Sequence, residues 1–187
     1  MTCHLGAGAS LAAVANGHSA DTTMGFTPLE GLVMASRAGN VDPGLLLWLL
    51  RHEGLAVGEL GDGLEHASGL AGLAGTADMR EVLERDDDAA RLALDVFVHR
   101  LRAGVAAMAA AMDGIDVLAF TGGIGEHAPS VRAAAAAGLG FLGVQLDADR
   151  NAAARGDADI GAPGAATAGV VVTAREDREI ARQVRAL

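Results

Sequence analysis

The sequence predicts an α/β fold in which helices pack against one sheet. Short apolar runs with β-branched residues, such as residues 115–120 and 169–173, are typical of buried strands. Longer stretches with apolar residues every three or four positions predict helices. Two glycine-rich turns, at residues 4–8 and 122–125, each lie at the end of a predicted strand, which is a common place for a ligand site.

The first forty residues predict a β-hairpin followed by a helix. Leu11–Ala15 is the first arm of the hairpin, Asn16-Gly17 is a strong turn signal, and residues 18–24 form the return arm. After an irregular segment, a helix is predicted from about residue 28 to residue 39.

A second helix is predicted after Asp42, which can cap it, with Pro43 at its first position. It extends to His52. Its buried face is predicted to carry three leucines: Leu46, Leu49 and Leu50. The following region, 58–75, is rich in glycine and leucine and predicts no defined element.

A short helix and a long helix are predicted next. Asp78 can cap the short one, which covers about 79–85, and the aspartates 86–88 can cap the long one, which ends near residue 112 at Asp113-Gly114. The long helix has one apolar stripe, and its methionines are interpreted as core residues rather than as a cofactor contact. The stripe consists of Leu94, Phe97, Leu101, Val105, Met108 and Met112.

The last third of the chain predicts alternating strands and helices. In order they are a strand at 115–120, a helix from Pro129 to Ala137 closed by Gly138, a strand at 142–146, a helix from 147 to about 154, a glycine-rich linker at 156–169, a strand at 169–173 and a helix at 175–185. No internal repeat is visible. Residues 1–187 are interpreted as a single domain.

Composition limits the classes of function. The 187 residues are 51% hydrophobic and carry a formal charge of −10, which disfavours binding to nucleic acid or anionic membranes. No apolar run approaches the roughly 20 residues of a membrane span, and no signal peptide is visible. The single cysteine, Cys3, excludes an internal disulfide and fits a reducing compartment, so a cytoplasmic protein is expected.

The two glycine-rich turns are the candidate ligand site. Bare backbone N–H groups at a strand end suit a phosphate or a nucleotide, and two such turns facing each other could hold both ends of a nucleoside triphosphate. The chain has no lysine, so a Walker A loop is excluded and phosphate contacts would use arginine, histidine or backbone N–H. A tight turn that merely needs glycine is the alternative.

Other chemistries have less support. Residues 123–128 match the loose dinucleotide fingerprint G-x-G-x-x-A, so NAD binding is a second alternative, with Asp147 about 20 residues further on. Against it, the fingerprint normally opens the fold, and Glu126 would place a carboxylate where the pyrophosphate would sit. The histidines are scattered without metal-ligand spacing, and no Gly-x-Ser-x-Gly elbow occurs.

Five segments, in order, resemble the C-terminal half of acetate kinases, the acetate/propionate kinase family. They are His4–Ser10, Asp21–Gly31, Ser36–Gly39 with Asp42-Pro43, Asp78–Arg80 and Thr121–Glu126. The run Met24-Gly-Phe-Thr-Pro-Leu-Glu-Gly31 is the most specific of them. The resemblance covers nearly the whole chain. It implies the fold shared with sugar kinases and actin-like ATPases, in which ATP binds between two similar α/β domains.

The resemblance implies transfer of the ATP γ-phosphate to acetate or another short-chain carboxylate, with Mg²⁺, giving ADP and an acyl phosphate. Arg37, which by its local sequence is a solvated arginine at a helix end, matches the family's catalytic arginine. Glu176 matches the glutamate linked to magnesium. The implied nucleotide-binding residues are His4, Leu5, Gly6, Ala7 and Gly8 in the hairpin, Asp78, Met79 and Arg80 beside the adenosine, and Gly123, Ile124, Gly125, Glu126 and His127 at the α-phosphate and sugar.

Three features depart from the family pattern. Ala7 and His127 each stand where asparagine is usual, and the family's N-terminal half, which holds the residues around acetate, is not among these residues. The first hypothesis is therefore the nucleotide-binding half of an acetate kinase, weak or inactive alone unless a separate N-terminal half is supplied. The alternative is a non-catalytic module for ATP binding or dimerisation. The family also implies a homodimer.

Overall fold

The computed structural model describes residues 1–186 and confirms the α/β fold. Its strands are β1 (Thr2–Leu5), β2 (Ala9–Ala15), β3 (His18–Thr22), β4 (Val117–Thr121), β5 (Ala158–Asp159) and β6 (Ala168–Val171). They form one sheet in the order β3-β2-β1-β4-β6-β5. The central strands β1, β4 and β6 are parallel, whereas β2, β3 and β5 run antiparallel to their neighbours.

The helices follow the predicted signals closely in the second half of the chain. They are α1 (Pro43–His52), α2 (Val57–His66), α3 (Gly69–Ala74), α4 (Met79–Glu84), α5 (Asp88–Ala110), α6 (Gly122–His127), α7 (Pro129–Ala137), α8 (Ala148–Ala153) and α9 (Glu176–Val184). Asp42, Asp78 and Asp87 each accept a hydrogen bond from a backbone N–H two or three residues later, which confirms the predicted caps.

The core lies where α5 crosses the sheet. The stripe of α5 is confirmed, because Phe97, Leu101, Val105 and Met108 are all buried in one cluster with β1, β2 and β4 side chains. A Cβ added at Gly104 of α5 would lie only 2.8 Å from Leu11 Cδ1 of β2. Glycine at this position therefore lets the longest helix approach the sheet closely.

The helix predicted at 28–39 is wrong. This segment forms bends and turns. Apart from the bond from Met34 N–H to Arg37 O at 3.1 Å, its backbone pairs with other parts of the chain. Ala35 N–H donates to Ala7 O at 3.1 Å, and Leu70 N–H donates to Met34 O at 3.0 Å. Gly31 and Gly39 have φ values of 105° and 71°, outside the helical region. Non-local hydrogen bonds thus override the local helix signal.

Several other boundaries also differ from the prediction. The strand predicted at 142–146 is a 3₁₀ turn at Gly140–Leu142, which Gly143 ends with a φ of 77°, followed by two isolated bridges. The unassigned region 58–75 contains most of α2 and all of α3, and the predicted linker at 156–169 contains β5.

The predicted full burial of one face of α1 is wrong as well. Leu46, Leu49 and Leu50 are only half-buried, and no residue of α1 is fully buried. On the other faces of the helix, Leu47 and Trp48 expose 49% and 48% of their surface. The periodicity identified the inner side of the helix correctly, but α1 packs mainly on α2 at the edge of the protein rather than on the core.

None of the helices found in residues 1–186 combines the length and the apolar character needed to cross a bilayer.

Candidate functional site

The parallel pairing of β1 with β4 determines where the two glycine-rich segments meet. Cys3 lies opposite Phe120, and His4 lies opposite Thr121. Because the carboxyl ends of parallel strands share one edge of a sheet, the turn after β1 and the start of α6 lie side by side. A cavity of about 550 Å³ opens at this edge.

Residues from four separate segments line this cavity. From the sequence-predicted site it contains Gly6, Ala7, Asp78, Met79, Arg80, Gly123, Ile124 and His127. Sequence reasoning missed Ala35, Ala77, Leu83 and Ala128, which also line it. These are small or apolar residues without a chemical signature, and only the fold shows that they face the same space.

The other predicted site residues lie around the cavity rather than on its wall. Leu5 and Gly125 are buried beneath it. His4 and Glu176 do not line it either, and His4 Nδ1 lies 3.9 Å from Glu176 Oε1. Gly8 closes the turn after β1 by accepting a hydrogen bond from Gly6 N–H at 3.0 Å.

The glycine-rich segment at 122–125 belongs to helix α6 and is not the open turn that the sequence predicts. Gly122 has a φ of 78°, and a Cβ there would lie 2.9 Å from Leu5 O. A glycine is therefore required for the chain to turn from β4 into α6 this close to β1. A Cβ added at Gly123 would meet no atom within 4 Å, so the backbone is open to the cavity at this position.

Glu126 does not line the cavity. Its Oε1 accepts hydrogen bonds from Gly122 N–H at 3.0 Å and from Ala174 N–H at 2.9 Å. The carboxylate thus joins the first residue of α6 to the segment between β6 and α9.

A buried arginine supports α6 from below. Arg132 of α7 is 1% exposed and donates hydrogen bonds to Gly125 O at 2.8 Å and Glu126 O at 2.9 Å. It also donates hydrogen bonds to Asn151 Oδ1 and to the Asn151 backbone oxygen, both at 2.7 Å. Burial, and then the charge of Arg155, lowers the pKa of Arg132. Arg132 lies in the helix predicted at 129–137, and the sequence gives it no role.

Arg37 lies on a segment that is fixed from both sides. Ala35 bonds the β1–β2 turn, and Ser36 O accepts a hydrogen bond from Ser68 N–H at 3.0 Å. The guanidinium Nη1 lies 3.7 Å from Met34 Sδ and 3.6 Å from the position of a Cβ at Gly8. No carboxylate within residues 1–186 forms a salt bridge with Arg37.

Asp78 and Arg80 form an exposed ion pair at the cavity rim, with Arg80 Nη2 2.6 Å from Asp78 Oδ2. Hydrogen bonds from the Arg80 side chain, and then from its backbone, lower the pKa of Asp78, which also caps α4. The pair places a positive and a negative group beside the apolar side chains of Met79 and Leu83.

No cluster of three or more acidic, histidine or cysteine side chains able to hold a metal occurs in the described part of the chain. Glu176 presents an exposed carboxylate near His4. Magnesium in phosphoryl-transfer sites is usually held by one or two carboxylates together with substrate phosphates and water. An exposed carboxylate beside His4 therefore fits a magnesium ion that arrives with a nucleotide.

Comparison with known proteins gives one consistent result. The sequence model of the Acetokinase family matches residues 1–182. An acetate kinase of Gloeobacter violaceus is 51% identical over 187 residues, a match that covers 98% of this chain and 46% of that protein. An acetate kinase of Leifsonia xyli is 50% identical, with 98% and 47% covered.

Solved structures agree with these matches. The crystal structure of Porphyromonas gingivalis acetate kinase superposes with a TM-score of 0.93 at 37% identity, covering 97% of this chain and 47% of that one. A propionate kinase from Francisella tularensis gives 0.91 at 37% identity, with the same coverage. The chain spans about half the length of the curated relatives it matches. Its sequence, its mixed sheet and the position of its glycine-rich segments together show that the chain belongs to the acetokinase family.

Proposed function

We propose that this chain is the nucleotide-binding part of a kinase that transfers the γ-phosphate of ATP to acetate or another short-chain carboxylate. The observation that carries the proposal is the pairing of β1 with β4, which places Gly6 and Gly123 on one cavity of about 550 Å³. Relatives named acetate kinase and propionate kinase support the same class of acceptor. ADP is then the nucleotide product.

The cavity lining suits an adenosine at one end and phosphates at the other. Met79, Leu83 and Ile124 offer apolar surface for a base, and Asp78 and Arg80 offer polar groups at the rim. Gly6, Ala7 and Gly123 present backbone with little or no side chain, so phosphate oxygens can approach it closely. His127 lies on the same wall.

Arg37 is the proposed catalytic residue. Its guanidinium lies against Gly8 at the end of the turn, where the terminal phosphates would lie, and its segment is held by backbone hydrogen bonds. A fixed cation there would stabilise the charge that builds up on the transferring phosphoryl group. Magnesium, when bound with the nucleotide, would supply further charge neutralisation, and Glu176 is the proposed protein ligand.

The experiment replaces the matching part of the Gloeobacter violaceus relative with this chain. Acetyl phosphate formed from ATP and acetate is then trapped with hydroxylamine. We expect the chimaera to be active and Arg37→Ala to lower kcat by about 10³-fold or more, the size seen when a phosphoryl-stabilising arginine is removed. Arg91→Ala, exposed near the start of α5, is the matched control and should keep full activity.

A chimaera that binds ADP but forms no acetyl phosphate would favour the second candidate, a non-catalytic binding or dimerising module. One observation supports an interaction role: Leu45, Leu47 and Trp48 of α1 form an exposed apolar face. We propose that a homodimer uses this face. Sedimentation of the chain as a monomer at micromolar concentration would contradict it.

The cytoplasmic location stays a prediction.

A further inference from the structure

Glu126 of α6 does not lie where its expected role would place it. The resemblance places it among the nucleotide-binding residues, yet its carboxylate does not line the cavity. Its Oε1 accepts two backbone hydrogen bonds inside the protein, from Gly122 N–H at 3.0 Å and Ala174 N–H at 2.9 Å. The two donors are far apart in sequence and follow two neighbouring parallel strands, β4 and β6.

The two bonds join the two ends of the proposed site. Gly122 begins α6, which carries Gly123, Ile124 and His127 on the cavity wall. Ala174 precedes Glu176 by two residues, and Glu176 in turn lies 3.9 Å from His4 at the end of β1. β4 and β6 are already paired, and Val172 N–H donates to Phe120 O at 2.9 Å where the strands end. Glu126 Oε1 extends this connection beyond the strands, to the residue that begins α6 and to Ala174 before α9.

The surroundings explain why this carboxylate stays in place. Gly122 is buried, so its N–H would be left without an acceptor in a buried position if the Glu126 side chain moved away. Arg175 carries a positive charge near Glu126, and its own position is fixed by a 2.7 Å ion pair with Asp157. Thr173 N–H also bonds Asp157, so the residues on both sides of Ala174 are held.

We propose that Glu126 is a positioning residue that fixes α6 and the segment between β6 and α9 relative to each other, and that it touches neither nucleotide nor metal. The inference rests on the proposed function for the identity of the ligand. To hold Gly122 and Ala174, the side chain at position 126 needs one acceptor oxygen and does not need a negative charge. Glutamine keeps that oxygen, and its amide nitrogen is excluded from the same place because both partners are N–H donors.

The test compares Glu126→Gln with Glu126→Ala, using Glu53→Ala at the exposed end of α1 as a control for the loss of one carboxylate. Two quantities are measured on the full chain: the exchange rates of the Gly122 and Ala174 amide protons, and the dissociation constant for ADP with magnesium. In Glu126→Ala we expect both amides to exchange at least about tenfold faster and ADP to bind at least about tenfold more weakly, as for other supporting residues around a site.

Glu126→Gln is expected to keep slow exchange at both amides and to bind ADP within about twofold of the original chain. A carboxylate that binds magnesium or acts through its charge would be lost equally in both variants, so equal weakening by Gln and Ala would overturn the inference. Unchanged amide exchange in Glu126→Ala would overturn it too. If the original chain binds no ADP, the proposed function fails. The exchange rates alone then decide whether Glu126 holds Gly122 and Ala174 together.

Discussion

At the level of single residues, a buried arginine, Arg132, supports the site without lining the cavity. Arg132 has no carboxylate partner among the described residues, and its guanidinium donates to three backbone oxygens and one side-chain amide oxygen. A planar group with five donors suits this arrangement, since the acceptors come from α6 and α8 at different angles. The resulting network connects α6, α7 and α8.

Replacing Arg132 tests the strength of this network. Arg132→Met leaves several buried oxygens without a donor, and we expect a loss of about 3 kcal/mol in the free energy of unfolding. Arg132→Lys keeps the charge but not the geometry, so its stability should fall between that of the Met variant and that of the original chain. Urea unfolding measures the loss, with Arg178→Met on exposed α9 as the matched control. A loss below about 1 kcal/mol would show that water or other donors replace the guanidinium readily.

At the level of elements, we expect the start of α5 to respond to pH through Asp87. A hydrogen bond from the Arg85 side chain, followed by one from Ala90 N–H, lowers the pKa of Asp87 from its ordinary value of 3.8 to about 2. A carboxyl whose pKa is lower in the folded state contributes stability above its unfolded pKa. That contribution disappears as the pH falls through the folded value.

The stability that Asp87 contributes should therefore be complete above about pH 4 and be lost between about pH 4 and pH 2. The variant Asp87→Asn removes the titrating group and keeps a good helix cap. Urea midpoints measured across this range should fall less steeply in Asp87→Asn than in the original chain. Asp95→Asn, exposed on the same helix, is the control, and an identical slope in all three proteins would refute the assignment.

The elements also show what local sequence can and cannot predict. The hairpin, α4, α5 and α7 follow from caps, turns and periodicity, because their main determinants lie within a few residues. The false helix at 28–39 comes from the opposite situation. Its backbone bonds Ala7 and Leu70, so the segment that carries Arg37 is defined by partners that no local pattern reveals.

The site was predictable to a similar degree. The motif residues that line the cavity came from the resemblance to acetate kinases, whereas Ala35 and Ala77 line it without any chemical signal. The support from Arg132 and Asn151 depends on α7 packing against α8, which the sequence leaves open. Residue chemistry predicted a nucleotide, which stays a prediction, whereas only the tertiary contacts show how α6 is held.

At the level of the whole molecule, the site depends on strand order. The sheet places β1 next to β4, although residues 6–116 lie between these two strands in the sequence. Two short glycine-rich segments, neither of which identifies a ligand alone, therefore share one cavity. The proposed function requires both of them to contact the same nucleotide.

An amide NMR titration of the chain with ADP and magnesium decides whether they do. We expect the resonances of Ala7 and Gly8 after β1 and those of Gly123 and Ile124 in α6 to shift together along a single saturation curve. Shifts confined to one of the two segments, or two curves with different midpoints, would show that the segments do not share a nucleotide.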